Sequence, residues 1–375
     1  MTLRARWITA FDDLKALGPR YDAMVLAAGD IGLFYQLGWL ERVWPYFEMR
    51  LGGTFSFLVL EQDGEPVALA PLVLRTRSWA HARQRVLGFI GGTWDELDNW
   101  MPGFLFATRD PQEQTRMMNA MADAIAERQW DLLDLRFVRP SCPSHEVLRT
   151  RFSEIRPIAD SLPTPRAHLE NGFAHYWADR SKRLLRILDR GRKRAAEDHV
   201  DLIHEVTPDV PVERRGEAEA MHLARQEQIR STGRARSSPF DDPQAQRVFW
   251  SLIDFATSRG QLRAHWLRLG DRITAYVIAL HHAGTTFGYF NAIDPAAERY
   301  HPGSLILAGL IEREASQHGA LIVDMMIGAN LTKTLFATEA LVNMNLTVVS
   351  PRLRSKLSDA WNRGAHQIAQ RLRRG

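Results

Sequence analysis

The sequence lacks the features that define several common classes of protein. Its 375 residues include a single cysteine, Cys142, so the chain can form neither an internal disulfide nor a cysteine-based metal site. Its longest apolar runs, "LILAGLI" and "AYVIAL", are far shorter than the ~20 residues that a helix needs to cross a bilayer. The opening "MTLRARWITAFDDLKALG" becomes polar too early for a secretory signal. These absences predict a cytoplasmic protein that does not span a membrane.

Motifs for nucleotides, nucleic acids and metals are also missing. No GxGxxG or GxxxxGK[ST] pattern follows a predicted strand, which argues against the Rossmann and P-loop classes. The basic residues are not interleaved with aromatic ones, and the sequence has no DNA- or RNA-binding motif, so we expect no nucleic-acid partner. His281 and His282 end one predicted strand without a further ligand at suitable spacing, and we therefore expect no metal.

The chain does have a mild excess of positive charge. Its net charge of +4 favours acidic partners such as phosphates, an acyl-carrier protein or an anionic membrane surface. The strongest basic run, residues 180–194, falls on a predicted helix that has Leu184, Leu185 and Leu188 on its apolar side. This helix could contact phosphates, a carrier protein or lipid headgroups, or it could simply be a solvated face. Peripheral attachment to the inner membrane stays open.

A weak internal repeat divides the sequence into two similar halves. In each half a strand, a turn, a returning strand and a third strand precede a loop, a helix and a closing strand. The first half supplies "TFSFLVLEQ", "DGEP", "VALAPLVLRT", "QRVLGFIGG", "DPQEQTRMMNAMADAIAERQ" and "WDLLDLRFV". The second half supplies "QLRAHWLRL", "GDR", "ITAYVIALHH", "TTFGYFNAI", "SLILAGLIEREASQHG" and "ALIVDMMIG". Each closing strand carries one internal acid, Asp134 or Asp324.

This order of elements predicts the fold class and the domains. We expect an α+β fold with two tandem domains, each a mixed, mostly antiparallel sheet flanked by helices. The stretch "RPIADSLPTPRAHLENG" has three prolines and predicts a boundary near Ser161. The expected domains are therefore residues 1–160 and 161–350, followed by a basic helical tail at 351–375.

The segment "ERYHPGSLILAGLIERE" contains the most unusual helix start in the chain. A helix start presents unpaired backbone N–H groups and the positive end of the helix dipole, and an acidic cap usually satisfies some of them. Here Pro302 and Gly303 precede Ser304, and no acid is present. Such a start is suited to hold a phosphate, although Ser304 could equally cap an ordinary helix.

The second half resembles the GNAT acyltransferase superfamily, and within it the CelD/BcsL-type acyltransferases, which are relatives of the FemAB-like tandem proteins. The resemblance covers about residues 174–337 and, more loosely, "FYQLGWLERVW" and "PVALAPLVL" in the first half. It rests on "YWADRSKRLLR", "STGRARSSPF", "GQLRAHWLRLGDRITAYVIAL", "GYFNAIDPAAERYHPGSLIL" and "VDMMIGANLTK". In order, the matching positions are Asp294, Tyr300, Pro302, Gly303, Asp324, Gly328 and Lys333.

The resemblance implies two GNAT-like domains, of which the first is degenerate and has no donor loop. The second would bind acyl-CoA, or an acyl-carrier-protein thioester, as co-substrate at a split between two parallel strands. The implied cofactor-binding residues are Tyr300, Pro302, Gly303, Ser304 and Leu305. Tyr300 and Asp294 could instead shape the loop. Thr332 before the lysine, and Met325 with Met326 after the acid, depart from the family pattern, so the acceptor pocket is expected to differ.

Four residues are candidates for the chemistry, and each has an ordinary alternative. Asp324 could act as a base or orient the acceptor, or it could be a structural acid in an ion pair. Lys333 could pair with Asp324 or hold a phosphate, or it could be a solvated lysine. Tyr289 could protonate the leaving thiolate or be a core residue. His222, one helical turn after Glu219, could relay a proton or simply pack.

Together these features predict an N-acyltransferase that acylates an amine of an envelope precursor, with a hydroxyl as a less favoured acceptor. The acceptor would be a lipid such as a long-chain amino alcohol, or a sugar amine of a polysaccharide. Two alternatives remain: a FemAB-like transferase that takes aminoacyl groups from tRNA, and a non-catalytic module of a polysaccharide export or synthesis system.

Overall fold

The computed structural model describes residues 2–79, 82–91, 102–139, 143–152, 155–157, 162–233, 237–352 and 355–356. Contacts group these residues into two compact units. The first unit comprises the described residues up to 157 together with those from Val342 onward, and the second is Leu162–Leu341. Cys142 and most of the predicted basic tail lie outside the described residues.

The first unit is built from ten strands and five helices among the described residues. Its strands are β1 Leu3–Ile8, β2 Thr54–Phe55, β3 Phe57–Gln62, β4 Glu65–Ala70, β5 Leu72–Trp79, β6 Ala82–Phe89, β7 Leu105–Phe106, β8 Leu132–Val138, β9 Ile155–Pro157 and β17 Met344–Val349. Its helices are α1 Phe11–Lys15, α2 Pro19–Ala27, α3 Leu37–Leu51, α4 Pro111–Glu127 and α5 Ser144–Arg151.

The first unit has two sheets. A four-stranded sheet has the order β1-β3-β4-β7, and a six-stranded sheet has the order β2-β5-β6-β8-β17-β9. The prediction of "VALAPLVLRT" as a single returning strand is wrong. The segment forms β4 and β5, which belong to different sheets and are separated by Pro71, a residue without an N–H for a ladder hydrogen bond. β17 pairs with β8 and β9, so residues predicted to end the second domain complete the sheet of the first unit.

The second unit, Leu162–Leu341, contains one seven-stranded mixed sheet with the order β11-β12-β13-β14-β15-β10-β16. The strands are β10 Pro163–His168, β11 Leu202–Thr207, β12 Leu262–Leu269, β13 Arg272–His282, β14 Thr285–Ile293, β15 Ile322–Asp324 and β16 Glu339–Val342. The helices are α6 Phe173–Ala178, α7 Lys182–Glu197, α8 Val212–Arg230, α9 Pro243–Ser258, α10 Pro302–Gln317 and α11 Leu331–Phe336. No described helix is long and apolar enough to cross a bilayer.

The predicted α+β class is confirmed, and the repeat is visible in the strand pairing of both units. β6 pairs with β8 in parallel over Val86–Gly88, and β14 pairs with β15 in parallel over Thr285–Phe287. The other strand pairs whose register is described are antiparallel in both units. A long helix lies between the two parallel strands in the chain: α4 in the first unit and α10 in the second. The predicted closing strand "ALIVDMMIG" is too long, because β15 ends at Asp324 and Met326 adopts a left-handed conformation.

Helix α10 is fixed to the sheet by a buried polar network around Glu314, which is fully buried. Arg263 on β12 donates from Nε and Nη2 to the two carboxylate oxygens over 2.8 and 2.9 Å. The Thr286 hydroxyl on β14 donates to the same carboxylate over 2.8 Å, and His265 Nε2 lies 3.2 Å from it. His265 Nδ1 in turn lies 3.2 Å from His204 Nε2 on β11. One helical carboxylate thus binds side chains of two strands.

The electrostatics of this network follow from burial and from the ion pair. Hydrogen bonds from His265 and Arg263, together with the charge of Arg263, outweigh burial and lower the pKa of Glu314 to about 2. Burial, with the nearby charge of Arg313, lowers the pKa of His204 to about 3, and burial also lowers that of His265. The carboxylate is therefore ionised and both imidazoles are neutral at physiological pH.

We expect Glu314→Ala to lower the free energy of unfolding by about 3–5 kcal/mol, because the substitution leaves the largely buried Arg263 guanidinium without its carboxylate. Urea denaturation would measure the change. The matched control is Glu312→Ala on the same helix, since Glu312 is exposed and should change stability by less than about 0.5 kcal/mol. Equal effects of the two substitutions would contradict the anchoring role of Glu314.

The neutral histidines predict a pH dependence of stability. The unfolded chain takes up protons on these histidines near pH 6.5, whereas the folded chain does so only at lower pH. Stability should therefore fall as the pH drops below about 6.5, with a slope of up to about 1.4 kcal/mol per pH unit for each histidine. Urea midpoints measured across this range should show a shallower slope for His204→Asn than for the exposed control His199→Asn. Indistinguishable slopes would disprove this assignment.

Candidate functional site

The candidate site begins where β14 and β15 part. The two strands pair in parallel only through Thr285↔Ile322, Thr286↔Val323 and Phe287↔Asp324. From Gly288 to Ile293, β14 continues along β13 while its other edge leaves β15 behind. The backbone of this edge is therefore exposed to the gap, where it can receive a carbonyl or another hydrogen-bonding group of a ligand.

An irregularity in β14 marks the point of separation. Ile278 lies opposite Phe290 and Leu280 lies opposite Phe287, so the single residue Ala279 of β13 faces two residues of β14. Those two residues are Gly288 and Tyr289, and together they form a β-bulge. A bulge bends its strand and increases the local twist, which turns β14 away from β15.

A cleft of about 550 Å³, measured with its open mouth, fills the gap between the two strands. Its walls are β13, β14, β15, helix α10 and the short helix α11. The described lining residues are Tyr276, Val277, Gly288, Asn291, Ala292, Ile293, Gly303, Ile306, Leu307, Leu310, Val323, Met325, Asn330, Thr332 and Lys333. Gly303, Ile306, Leu307 and Leu310 follow helical spacing, so the cleft runs along the first two turns of α10. Its walls are mainly apolar, with polar side chains from Asn291, Asn330, Thr332 and Lys333.

The start of α10 has no side-chain cap, as the sequence predicted. His301, at the N-cap position, is left-handed with φ 55° and ψ 48°, and Pro302 has no N–H. The Ser304 and Leu305 N–H groups both donate to the His301 carbonyl, over 3.0 and 3.1 Å. The N–H of Gly303 is not one of these two donors to the His301 carbonyl, and Gly303 itself lines the cleft.

The loop before α10 packs on helix α7. A Cβ at Gly191 would lie 2.4 Å from the Tyr300 carbonyl oxygen, so only glycine permits this close approach. The Arg194 guanidinium donates to the Arg299 carbonyl, and the Tyr300 hydroxyl donates to the Asp198 carboxylate. Tyr300 therefore shapes the loop through its contact with the end of α7, while its predicted role in binding a cofactor stays a prediction.

Of the predicted catalytic residues, only Lys333 is among the described residues that line the cleft. It lies on α11, where its N–H donates to the Asn330 carboxamide oxygen over 2.9 Å. Asp324 is fully buried at the end of β15, next to the closed end of the gap. Arg166 on β10 donates to Asp324 Oδ2 over 2.8 Å, and the Met326 N–H donates to Oδ1 over 2.9 Å. This geometry favours the structural interpretation of Asp324.

His222 and Tyr289 belong to an aromatic cluster in which helices α8 and α9 meet β14. The His222 ring stacks on Phe290 with 4.4 Å between centroids, and its Nε2 lies 2.9 Å from Gln226 Nε2. Tyr289 is almost fully buried and lies parallel to Phe249 at 6.3 Å. Burial raises the pKa of Tyr289, so its hydroxyl stays protonated at physiological pH. The cluster and the cleft adjoin, because Tyr276 lines the cleft and its ring centroid lies 6.4 Å from that of Phe290 in the cluster.

Comparison with known proteins agrees with this geometry. Residues 182–333 match the family model Acetyltransf_6, which is described as an acetyltransferase (GNAT) domain. The matched segment runs from α7 to Lys333 and includes the cleft residues of β14, α10 and α11.

The second unit is similar to a GNAT acetyltransferase domain over residues 182–333.

Solved structures show the same fold over the whole chain. A crystal structure of FemX aligns with a TM-score of 0.61 at 9% identity, covering 96% of this chain and 99% of that one. A conserved protein of unknown function from Bacteroides thetaiotaomicron VPI-5482 aligns with a TM-score of 0.51 at 11% identity, covering 93% and 100%. No curated protein sequence matches the chain. The finer likeness to CelD/BcsL-type acyltransferases stays a prediction.

Sequence reasoning missed several residues of the cleft and its supports. Asn291 lies exposed on β14, and Asn330 caps α11; both line the cleft. Arg166, the partner of Asp324, comes from the linker-like stretch that the sequence assigned only to a boundary. A signal for the Glu314 network was present, because Arg263 and His265 alternate on one face of β12 while Glu314 interrupts the apolar face of α10.

The ion pair between Arg166 and Asp324 predicts a strong energetic coupling. Arg166→Met and Asp324→Asn should each lower the free energy of unfolding by about 3–5 kcal/mol, because each leaves a buried group without its charged partner. The double variant should lose less than the sum of the two by more than about 1 kcal/mol. The control cycle is Arg268→Met with Asp271→Asn, a solvent-accessible pair expected to couple by less than about 1 kcal/mol. Additive losses for the buried pair would refute the coupling.

Proposed function

We propose that the second unit is an N-acyltransferase that takes its acyl group from a thioester carried on a phosphopantetheine arm. Acyl-CoA and an acyl-carrier protein both present such an arm. The observation that carries the proposal is the cleft between β14 and β15, because it begins at a helix start without a side-chain cap and runs beside the edge of β14 that no longer pairs with β15. The match to a GNAT family model supports the same chemistry.

Each wall of the cleft suits one part of such a donor. The apolar residues Ile306, Leu307 and Leu310 can pack against the pantetheine chain. Gly303, at the helix start, lets a phosphate approach the backbone closely. The open edge of β14 can donate an N–H to the thioester carbonyl, whose oxygen becomes more negative as the tetrahedral intermediate forms. The thioester carbon is thereby oriented and polarised for attack.

The proposed reaction is direct attack by the acceptor amine, which requires no covalent enzyme intermediate. The amine nitrogen forms a bond to the thioester carbon, and the carbon–sulfur bond breaks to release the thiolate. The nitrogen loses one proton, and the thiolate gains one, so the products are an amide and a free thiol. The Lys333 ammonium is at the cleft and can stabilise the negative charge of the thiolate or of a phosphate.

The acceptor class rests on the resemblance to CelD/BcsL-type acyltransferases. We propose an amine of an envelope lipid, such as a long-chain amino alcohol, or of a polysaccharide precursor, at the cytoplasmic face of the membrane. An aminoacyl-tRNA donor is the alternative, and its binding to the protein should weaken steeply with salt.

The proposal predicts that Gly303→Leu blocks the donor. A Cβ at Gly303 would lie 3.4 Å from Ile293 Cγ2, so the extra side chain should project into the mouth of the cleft with little backbone strain. We expect the dissociation constant for acyl-CoA, measured by calorimetry, to rise at least about tenfold, and thiol release with added amines to be lost.

The matched control is Gly216→Leu, because Gly216 is an exposed helical glycine whose Cβ would meet no atom within 4 Å. This control should bind acyl-CoA as the unmodified protein does. Unchanged binding by Gly303→Leu would remove the cleft from the mechanism. If the unmodified protein neither binds a phosphopantetheine thioester nor releases thiol, the proposed function is wrong.

A further inference from the structure

Helix α7 has a buried apolar side and an exposed side with a strong positive charge. Leu184, Leu188, Gly191 and Ala195 are buried at helical spacing. The sequence of α7, Lys182–Glu197, contains seven lysines and arginines but only two acids, Asp189 and Glu197, and all nine are exposed. The two acids lie beside Arg192 and Lys193 at 3.7 and 3.8 Å. The rest of this face presents positive charge to solvent.

The basic helix and the segment before it contact two of the elements that line the cleft. Gly191 contacts the loop before α10, and Gly303 at the start of α10 lines the cleft. The Arg180 guanidinium and the Tyr176 hydroxyl donate to the carbonyl of Phe336, the last residue of α11, over 3.1 and 2.7 Å. Helix α11 carries Lys333, which also lines the cleft. The segment from α6 to α7 therefore supports both α10 and α11 beside the cleft.

The dimensions of the basic face and the helix start distinguish between possible donors. The basic residues extend from position 182 to 194, which is about 18 Å along the helix. This length is greater than the length of basic surface needed to contact the phosphates of one nucleotide. At the start of α10, proline removes one amide donor, and the Ser304 and Leu305 N–H groups already donate to His301. The backbone there suits one phosphate better than a diphosphate.

We propose that the exposed face of α7 is a docking surface for an acidic carrier protein, which presents its acyl group on a phosphopantetheine arm that enters the cleft. This inference rests on the proposed function and names the source of its donor. Charge complementarity between the basic face and an acidic protein surface would accelerate association and orient the arm toward the neighbouring entrance. The single phosphate of the arm would then meet the start of α10.

The packing of α7 favours a protein over a lipid surface as its partner. A helix that binds a bilayer interface buries its own apolar side among the acyl chains. The apolar side of α7 is already buried, since Leu184 and Leu188 belong to the same core cluster as Leu305 and Phe336. The side that remains for a partner is polar and charged.

Charge reversal on α7 tests the proposal. Arg183→Glu with Arg186→Glu changes two exposed cations that lie away from the Tyr300 loop. The full chain would be assayed for thiol release with an acyl-carrier protein and with CoA, both loaded with the same acyl group. We expect kcat/KM for the carrier-bound substrate to fall at least about tenfold, while that for acyl-CoA changes less than about twofold. Added salt should reduce only the carrier reaction.

The matched control, Arg109→Glu with Arg149→Glu, makes the same change in net charge at exposed positions of the first unit and should alter neither reaction. Equal use of both donors, or carrier turnover unaffected by the α7 reversal, would overturn the docking surface while leaving the proposed function intact. Loss of binding to phosphatidylglycerol vesicles with unchanged carrier turnover would assign α7 to a membrane instead. Failure to use either donor would reject the proposed function itself.

Discussion

The second unit depends on one constraint: two neighbouring parallel strands must pair and then separate. β14 and β15 share three rungs, after which the bulge at Gly288 and Tyr289 and the left-handed Met326 lead them apart. An open strand edge inside a domain leaves backbone groups without partners, so it persists only where surrounding elements hold it open. The cleft, its apolar walls and its entrance beside α10 all follow from this separation.

Two buried carboxylates hold the separated strands in place from opposite sides. Glu314 joins α10 to β12 and β14, and Asp324 joins the end of β15 to Arg166 on β10. Neither is among the described residues that line the cleft. A buried ion pair contributes little net stability compared with apolar packing, but it requires one particular arrangement of its partners. In this fold we infer that the buried acids determine where the strands part, and that reactive groups come from other positions.

Local patterns in the sequence predicted much of this architecture, whereas long-range partners were not predictable. Strand-like segments separated by turns identified β12, β13 and β14, and the missing acid identified the uncapped start of α10. Arg263 and Glu314 are 51 residues apart, and Arg166 and Asp324 are 158 apart, so neither pair leaves a local pattern. For the same reason the sequence alone left both a catalytic and a structural interpretation of Asp324, and the structure identified its partner as Arg166.

The two units differ most clearly at the points that a donor would contact. Asp110 caps α4, and its carboxylate accepts the Gln112 N–H, so that helix start already holds a negative charge that would repel a phosphate. The parallel pairing of the first unit also ends after three residue pairs, at Gly88 and Asp134, so the capped helix start is what distinguishes the two units here. Because a phosphate would meet this negative charge at the start of α4 but none at the start of α10, we infer that the described helix start of the first unit does not bind a thioester donor in the way proposed for the second.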